Sequence, residues 1–314
     1  MDVFKVIEPG LFTTVQDLGR YGSQQFGVPA AGALDGFSCR AANLLVGNPE
    51  VAAVLEMTFM GARLEVLAPA MVAVCGAEMP VLVNKKPQAT WASFAVQAGD
   101  VLALPAAKKG IRSYLAVSGG IDVPLVMGSR CTYVGAHLGG QQGRPLLKGD
   151  VLRCLETGPL PGVREVPVKA RPRMGGDQTL RSLPGPQDDF FDSGLEVFFG
   201  STYKVSSQTD RMGCRLEGAV VDLKPDAPKS IISEPSVPGG VQIPANGQPI
   251  ILLVEQTVGG YAKIATVVSA DLDKVAQLRP GEKVQFQKID LDSARNLYKE
   301  RQQQLESLKE LLSG

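Results

Sequence analysis

The sequence predicts a mainly β protein built from two related β domains, with one short helix in the first half and an amphipathic helix at the C-terminus. Three observations carry this. The 314 residues include 35 Gly and 22 Pro, well above the roughly 12% of average usage, so turns are frequent. Between the turns lie short Val-, Leu- and Ile-rich runs, as strands require. Lastly, a strand-to-Gly-Gly phrase occurs once in each half. Leu115-Ala116-Val117-Ser118-Gly119-Gly120 is echoed by Leu253-Val254-Glu255-Gln256-Thr257-Val258-Gly259-Gly260, as duplicated domains predict.

Strands are expected at Val3–Ile7, Ala62–Leu67, Met71–Val74, Leu82–Val83, Ala92–Val96, Val101–Leu104 and Arg112–Val117. Ala31–Val46 reads instead as helix. Asp35 is a capping residue, Phe37, Ala41, Leu44 and Leu45 fall at helical spacing, and Gly47-Asn48 stops it. Ala98-Gly99-Asp100-Val101-Leu102 is repeated as Lys148-Gly149-Asp150-Val151-Leu152 and, more loosely, as Pro280-Gly281-Glu282-Lys283-Val284. Either a duplicated element or a common hairpin turn explains that phrase.

Thr157–Gly185, rich in Pro, Gly and Arg, reads as a linker. A second β-rich block runs from about Leu195 to Gln287, with Ser230–Pro244 as a long loop. From Asp290 to Leu312 there is neither Pro nor Gly. Leu291, Ala294, Tyr298, Leu305, Leu308 and Leu312 form a narrow apolar stripe, interrupted at Arg301-Gln302. The stripe predicts a helix that packs on its own chain, with pairing to another chain as the alternative. The expected domains are 1–157 and 186–289, with a linker at 158–185 and the terminal helix at 290–314.

Composition narrows the chemistry. Lys+Arg and Asp+Glu are both 32, so no basic excess points to nucleic acid or an anionic membrane. His137 is the only histidine, which excludes multi-His metal sites; no metal is expected. Five scattered cysteines without C-x-x-C read as reduced core thiols. Without a leader-like N-terminus or a long apolar run, a cytoplasmic location is expected. No Walker loop, strand-linked G-x-G-x-x-G, G-x-S-x-G or H-E-x-x-H is present.

Three polar clusters break the strand pattern. Thr13-Thr14-Val15-Gln16-Asp17-Leu18-Gly19-Arg20-Tyr21-Gly22 is too polar for core and too ordered in type for a linker. Ser207-Gln208-Thr209-Asp210-Arg211-Met212-Gly213 again sets Asp beside Arg, and Gln256-Thr257-Val258-Gly259-Gly260-Tyr261 combines an amide with close-approach glycines. Arg suits carboxylate or phosphate groups, and a neighbouring Asp can orient it. Two of the clusters also have a structural reading: an Asp17–Arg20 staple and a tight hairpin capped by Tyr261. Gly139-Gly140-Gln141-Gln142-Gly143-Arg144 is a flexible loop with one cation. The candidate catalytic residues are Asp17, Arg20, Asp210, Arg211 and Gln256. The candidate substrate-binding residues are Thr14, Gln16, Gly139, Gly140, Arg144, Thr257, Gly259, Gly260 and Tyr261. Clusters from both halves lining a shared cleft would make a ligand site.

Thr13–Arg20, Gly32-Ala33-Leu34-Asp35, Ser118–Pro124, Met127-Gly128-Ser129-Arg130, Asp210-Arg211-Met212-Gly213, Gly240-Val241-Gln242-Ile243-Pro244 and Gln256–Tyr261 together resemble the allophanate hydrolase subunit 2 family. This family is also called the KipA or biotin-dependent carboxyltransferase family. The resemblance spans about Lys5–Phe286. The chain departs from the pattern at Glu255 (Arg expected), Val258 (Thr), Ala262 (Pro) and Cys214 (aromatic). The resemblance implies two tandem cyclophilin-like β-barrel domains and a KipI-like partner of the allophanate hydrolase subunit 1 family. It implies one of three activities. The first is that of the C component of an ATP-dependent 5-oxoprolinase, alongside a KipI-like B component and a LamB/YcsF-like A component. The second is the carboxyltransferase part of a urea carboxylase. The third is KipA-like antagonism of a KipI-type histidine kinase inhibitor. ATP would be shared with the partner proteins. Biotin enters only the second reading and is not attached to this chain, which lacks a Met-Lys dipeptide. A chain without a fused biotin carboxylase or subunit 1 segment favours the first reading.

Overall fold

Alternation of apolar side chains along the strands builds the first half. In the computed structural model, which describes residues 1–155 and 162–313, the chain divides into two compact units. The first is Met1–Tyr21, Ala31–Met174 and Leu305–Gly314; the second is Gly22–Ala30 and Gly175–Gln304.

The first unit holds β1 (Asp2–Glu8), β2 (Phe12–Gln16), α1 (Gly36–Leu45), β3 (Val54–Thr58), β4 (Arg63–Val66), β5 (Ala70–Gly76), β6 (Val81–Val83), β7 (Lys86–Gln88), β8 (Ser93–Val96), β9 (Val101–Ala103), β10 (Arg112–Val117) and β11 (Val151–Arg153). They form a six-stranded sheet, β11-β1-β4-β9-β6-β7, and a five-stranded sheet, β2-β3-β10-β5-β8. Val72, Val74, Leu115 and Val117 of the five-stranded sheet share a core with Val6, Leu64 and Leu102 of the other sheet. Their neighbours Met71, Ala73, Cys75, Tyr114 and Ala116 face the opposite way, onto Phe37, Ala41 and Leu45 of α1. Strands buried on both faces have period-two alternation but no polar side. As expected, Asp35 caps α1, its Oδ1 accepting from Ser38 N at 2.9 Å.

The second unit holds β12 (Gln178–Pro184), α2 (Ser193–Gly200), β13 (Thr202–Val205), β14 (Gly213–Glu217), β15 (Glu234–Pro235), β16 (Gly240–Gln242), β17 (Ile250–Leu252), β18 (Val258–Gly259), β19 (Lys263–Val267), α3 (Leu272–Ala276) and β20 (Lys283–Lys288), and α4 (Leu291–Ser313) begins there. Seven strands close a barrel, β12-β19-β16-β17-β14-β13-β20, sealed by parallel pairing of β12 with β20. β15 and β18 form a separate two-stranded ribbon.

The mainly β architecture, the short first-half helix and the C-terminal helix match the sequence expectation. Several elements differ from it. β12 lies within the segment read as linker, and Val166 and Met174 of that segment are buried in the first unit's core. The linker's Gly158-Pro159 and Pro161 lie outside the described residues. β2 is a strand because its polar side chains find partners inside the protein, as detailed below. α2 interrupts the expected β block, and β15 and β16 lie within the expected long loop.

The repeated Gly-acid phrase is one structural device used three times. Gly99, Gly149 and Gly281 have φ of 91°, 92° and 94°, a conformation glycine adopts without strain. Each glycine N–H donates to a strand residue, Val66, Val6 or Val205, whose own N–H donates back to the following acid's carbonyl. The acid's carboxylate then accepts from the N–H three residues upstream, at Gln97, Leu147 or Arg279. The Gly-Gly echo is different. Gly119 and Gly120 have positive φ, whereas Gly259 and Gly260 do not.

α4 runs unbroken through Arg301-Gln302, and Arg301 pairs with Asp273. Leu305, Leu308 and Leu312 join the first unit's core, and Lys309 pairs with Glu50 at 2.6 Å. No helix among the described residues is long and apolar enough to cross a membrane.

Candidate functional site

The first polar cluster is folded into the interior. Thr13, Thr14, Gln16 and Arg20 are buried along and just after β2. Gln16 Nε2 donates to Thr14 Oγ1 at 2.9 Å and to Thr132 O at 3.2 Å, while Thr132 Oγ1 donates to Val15 O. Asp17 is not stapled to Arg20. Its carboxylate accepts from Gly19 N (2.9 Å), Ser129 Oγ (2.7 and 2.9 Å) and Arg130 N (2.6 Å). Arg20, 0% exposed, donates through Nε to Val126 O at 2.8 Å and through Nη2 to Cys131 O at 2.9 Å. Its Nη1 and the Gln16 Oε1 have no hydrogen-bond partner. This is a buried guanidinium held by carbonyls, with no carboxylate beside it among the described residues.

Gly139 and Gly140 close over this cluster. A Cβ at Gly139 would stand 2.2 Å from Cys131 O and 2.7 Å from Arg20 Nη2; one at Gly140 would stand 1.9 Å from Thr132 Oγ1. Arg144 belongs elsewhere. It grips Asp150 of the second Gly-acid turn at 2.7 and 2.9 Å. That hydrogen bonding holds Asp150 below the usual carboxylate range and raises Arg144. Arg144 is thus a neutralised structural cation.

In the second unit Asp210 builds a turn, its Oδ1 accepting from Met212 N at 2.8 Å and Gly213 N at 3.0 Å. Arg211 donates from Nε to Glu255 at 2.6 Å, and both side chains are nearly buried. Glu255, one of the four departures from the expected family pattern, therefore neutralises Arg211. Gln256 Nε2 donates to Val258 O at 2.5 Å. The carbonyls of Thr257 and Gly260 accept from Ser236 N and Ile231 N. A cavity of about 420 Å³ is lined by Gln256, Tyr261, Met212, Gly213, Leu252 and Gln242, among others. Asp210, Arg211, Thr257, Gly259 and Gly260 lie in the turns and ribbon next to those lining residues in the chain.

The family description "Carboxyltransferase domain, subdomain A and B" matches residues 26–288. The chain belongs to that family. It is 38% identical over 312 residues to a protein of Escherichia coli (strain K12) named as a subunit of 5-oxoprolinase, its C component, covering 98% of this chain and 97% of that one. A protein of the same name from Haemophilus influenzae is 33% identical, with 95% of each chain covered. The urea amidolyase of Lachancea kluyveri is 34% identical over 98% of this chain but only 18% of its own length. Among solved structures, the K. lactis urea amidolyase matches with a TM-score of 0.91 at 30% identity, covering 98% of this chain and 20% of that chain.

Within this carboxyltransferase-domain chain, several residues outside the sequence-predicted set shape the two clusters. Ser129, Arg130 and Thr132 hold β2 from more than a hundred residues away, a distance at which local pattern carries no signal. Glu56 accepts from Tyr114 Oη at 2.8 Å and from Leu34 N at 3.0 Å beneath α1; burial pushes the Tyr114 phenol up. Lys263, nearly buried, donates to Glu234 at 2.5 Å, and Gln187 Nε2 donates to the same oxygen at 2.9 Å. The Lys263 bond holds Glu234 below the usual carboxylate range. Gln242 had a readable signal, an amide between Val241 and Ile243 in an apolar strand. All five cysteines are buried thiols outside any disulfide, and burial pushes Cys39 and Cys75 up, away from reactivity.

Proposed function

We propose that this carboxyltransferase-domain protein is the C component of an ATP-dependent 5-oxoprolinase, which opens the lactam of 5-oxoproline to glutamate. Its partners in this reading are a KipI-like B component and a LamB/YcsF-like A component. The observation that carries the reading is similarity: the chain is 38% identical over 312 residues to one protein named as this 5-oxoprolinase component and 33% identical over 304 residues to another. ATP is a substrate of the assembly, handled with the partner proteins. Arg20, sealed from solvent, acts together with Asp17 as a positioning residue that holds the 126–132 loop. In this reading Gln256 and the Gly259-Gly260 backbone would donate to negative charge developing on oxygen. Arg211, already paired with Glu255, positions the Gln256 loop.

A second reading, carboxyl transfer to urea from a carboxybiotin carried elsewhere, is favoured by the close structural likeness to urea amidolyase. The two separate on acceptor choice. The assembled complex should hydrolyse ATP in response to 5-oxoproline. ATP turnover stimulated instead by urea, and dependent on biotinylated protein, would replace the first reading with the second.

A further inference from the structure

The cavity of the second unit holds one cation that the protein leaves unpaired. Alternation along β14 buries Cys214 and Leu216 and puts Gly213, Arg215 and Glu217 on the opposite face. Gly213 stands across from Leu252 of β17, and Arg215 across from Ile250. Gly213 adds no side chain, so these two apolar residues floor the cavity there; a Cβ at Gly213 would stand 2.8 Å from Ile250 Cγ2. Arg215 is exposed and lines the same cavity as Gln256 and Tyr261. Its backbone is fixed: N donates to Thr209 Oγ1 at 3.1 Å and O accepts from Ser206 N at 2.9 Å. Its guanidinium makes no hydrogen bond or ion pair among the described residues. The arginines singled out in the sequence are engaged elsewhere. Arg20 is sealed from solvent, Arg144 holds Asp150 and Arg211 holds Glu255.

We infer that Arg215 anchors the carboxylate of a small substrate in this cavity. A guanidinium gives a carboxylate two parallel hydrogen bonds. Here an accessible fork stands beside an apolar floor, where the pair is screened less than on an open surface. The charges of the lining favour a carboxylate over a phosphate. Arg215 is the single cation and Glu217 the single acid among the described lining residues. Glu217 Oε1 accepts from Ser206 Oγ at 2.6 Å, which fixes that carboxylate on the same face of β14 as Arg215. One guanidinium balances a singly charged group. A phosphate carries up to about twice that charge and would meet Glu217 with no second cation. A volume of about 420 Å³ falls within the range of small-ligand sites. Assigning 5-oxoproline as the occupant rests on the 5-oxoprolinase reading; recognition of a carboxylate does not.

The test is titration of the full-length chain with 5-oxoproline, cyclopentanecarboxylate, 2-pyrrolidinone and inorganic phosphate, followed by calorimetry. Cyclopentanecarboxylate keeps a ring and the carboxylate without the lactam; 2-pyrrolidinone keeps the lactam without the carboxylate. 5-Oxoproline should bind about tenfold or more tighter than 2-pyrrolidinone, and cyclopentanecarboxylate should compete with it. Arg215→Met should weaken 5-oxoproline about tenfold or more and leave 2-pyrrolidinone unchanged, and Arg215→Lys should recover part of the loss. A second measurement needs no variant and covers the case of a misfolded Arg215→Met chain. Phenylglyoxal, which adds to accessible guanidinium groups, should modify Arg215. Both carboxylates should slow that modification, 2-pyrrolidinone should not, and the rates at exposed Arg63 and Arg295 should stay constant. The inference is overturned by 5-oxoproline binding within about twofold of wild type in folded Arg215→Met, by equal binding of 2-pyrrolidinone, by absent carboxylate binding, or by protection of Arg215 from phosphate alone. In the assembled complex, Arg215→Met should raise KM for 5-oxoproline more than it lowers kcat. Full activity at unchanged KM would overturn the Arg215 assignment and leave the 5-oxoprolinase reading standing. A complex inactive on 5-oxoproline, with carboxylate binding at Arg215 intact, would do the reverse.

Discussion

Asp17→Asn is an isosteric change whose cost the geometry predicts. The two carboxylate oxygens serve different donors: Oδ1 accepts from Gly19 N at 2.9 Å and Oδ2 from Arg130 N at 2.6 Å, with Ser129 Oγ reaching both. An Asn side chain has one acceptor oxygen. In either amide orientation a backbone N–H faces an NH₂ group, donor against donor. A buried donor left unmade costs about 1–3 kcal/mol, and replacing a charged acceptor adds a further increment of about 1 kcal/mol. The expected loss is about 2–4 kcal/mol. Trp91 is the chain's single tryptophan and is buried in the first unit, so its fluorescence reports unfolding of that unit. With a urea m-value of about 2 kcal/mol/M, the midpoint should fall by about 1–2 M. A shift below about 0.3 M would refute the claim that Asp17 holds the 126–132 loop to β2. Arg20, bound to Val126 O and Cys131 O of the same loop, should lose its placement too, so activity of the complex should fall with stability.

Tyr114→Phe removes the hydroxyl that donates to Glu56 and accepts from Asp35 N, both at 2.8 Å. It should cost about 2–3 kcal/mol by the same fluorescence measurement, and a loss under about 0.5 kcal/mol would contradict it. Leu308→Ala, in the buried half of α4, should destabilise the first unit by about 2–4 kcal/mol, whereas Leu291→Ala, at an exposed position, should change Trp91 unfolding by less than about 0.5 kcal/mol. Burial pushes the Asp271 carboxyl up, but its bonds to Arg181 and Lys274 outweigh this and leave it below its ordinary value of 3.8. Its contribution is therefore present above that value and lost as pH falls below it. The gap in thermal midpoint between wild type and Asp271→Asn should narrow from pH 7 toward pH 3; a constant or widening gap would contradict the pairing.

Strands that bury an apolar face could be read locally. β1, β4, β5, β8, β9 and β10 all fall within or beside the Val- and Leu-rich runs, and α1 carried its cap and its spacing. β2 could not be read this way. Threonines and a glutamine suggest solvent unless their partners are known, and those partners, Ser129 to Thr132, are remote in sequence. β12 was hidden because its flanks are rich in Gly and Pro, and its pairing with β20 joins segments a hundred residues apart. The Gly-Gly echo misled for a related reason, since composition recorded the glycines but not their dihedral angles. In the candidate site, Gln256 and Tyr261 were legible as polar breaks in pattern and do line the cavity. The sequence could not show that Asp210 builds a turn, or that Arg144 and Arg211 are already neutralised. Each depends on where a carboxylate lands in three dimensions.

The central claim is that this chain is a required part of a lactam-opening enzyme. The most direct measurement is ATP-dependent glutamate release from 5-oxoproline by the chain mixed with its cognate KipI-like and LamB/YcsF-like proteins, repeated with this chain left out. The account predicts glutamate only in the complete mixture. A folded, co-purifying complex that releases none, or a mixture equally active without this chain, would contradict it.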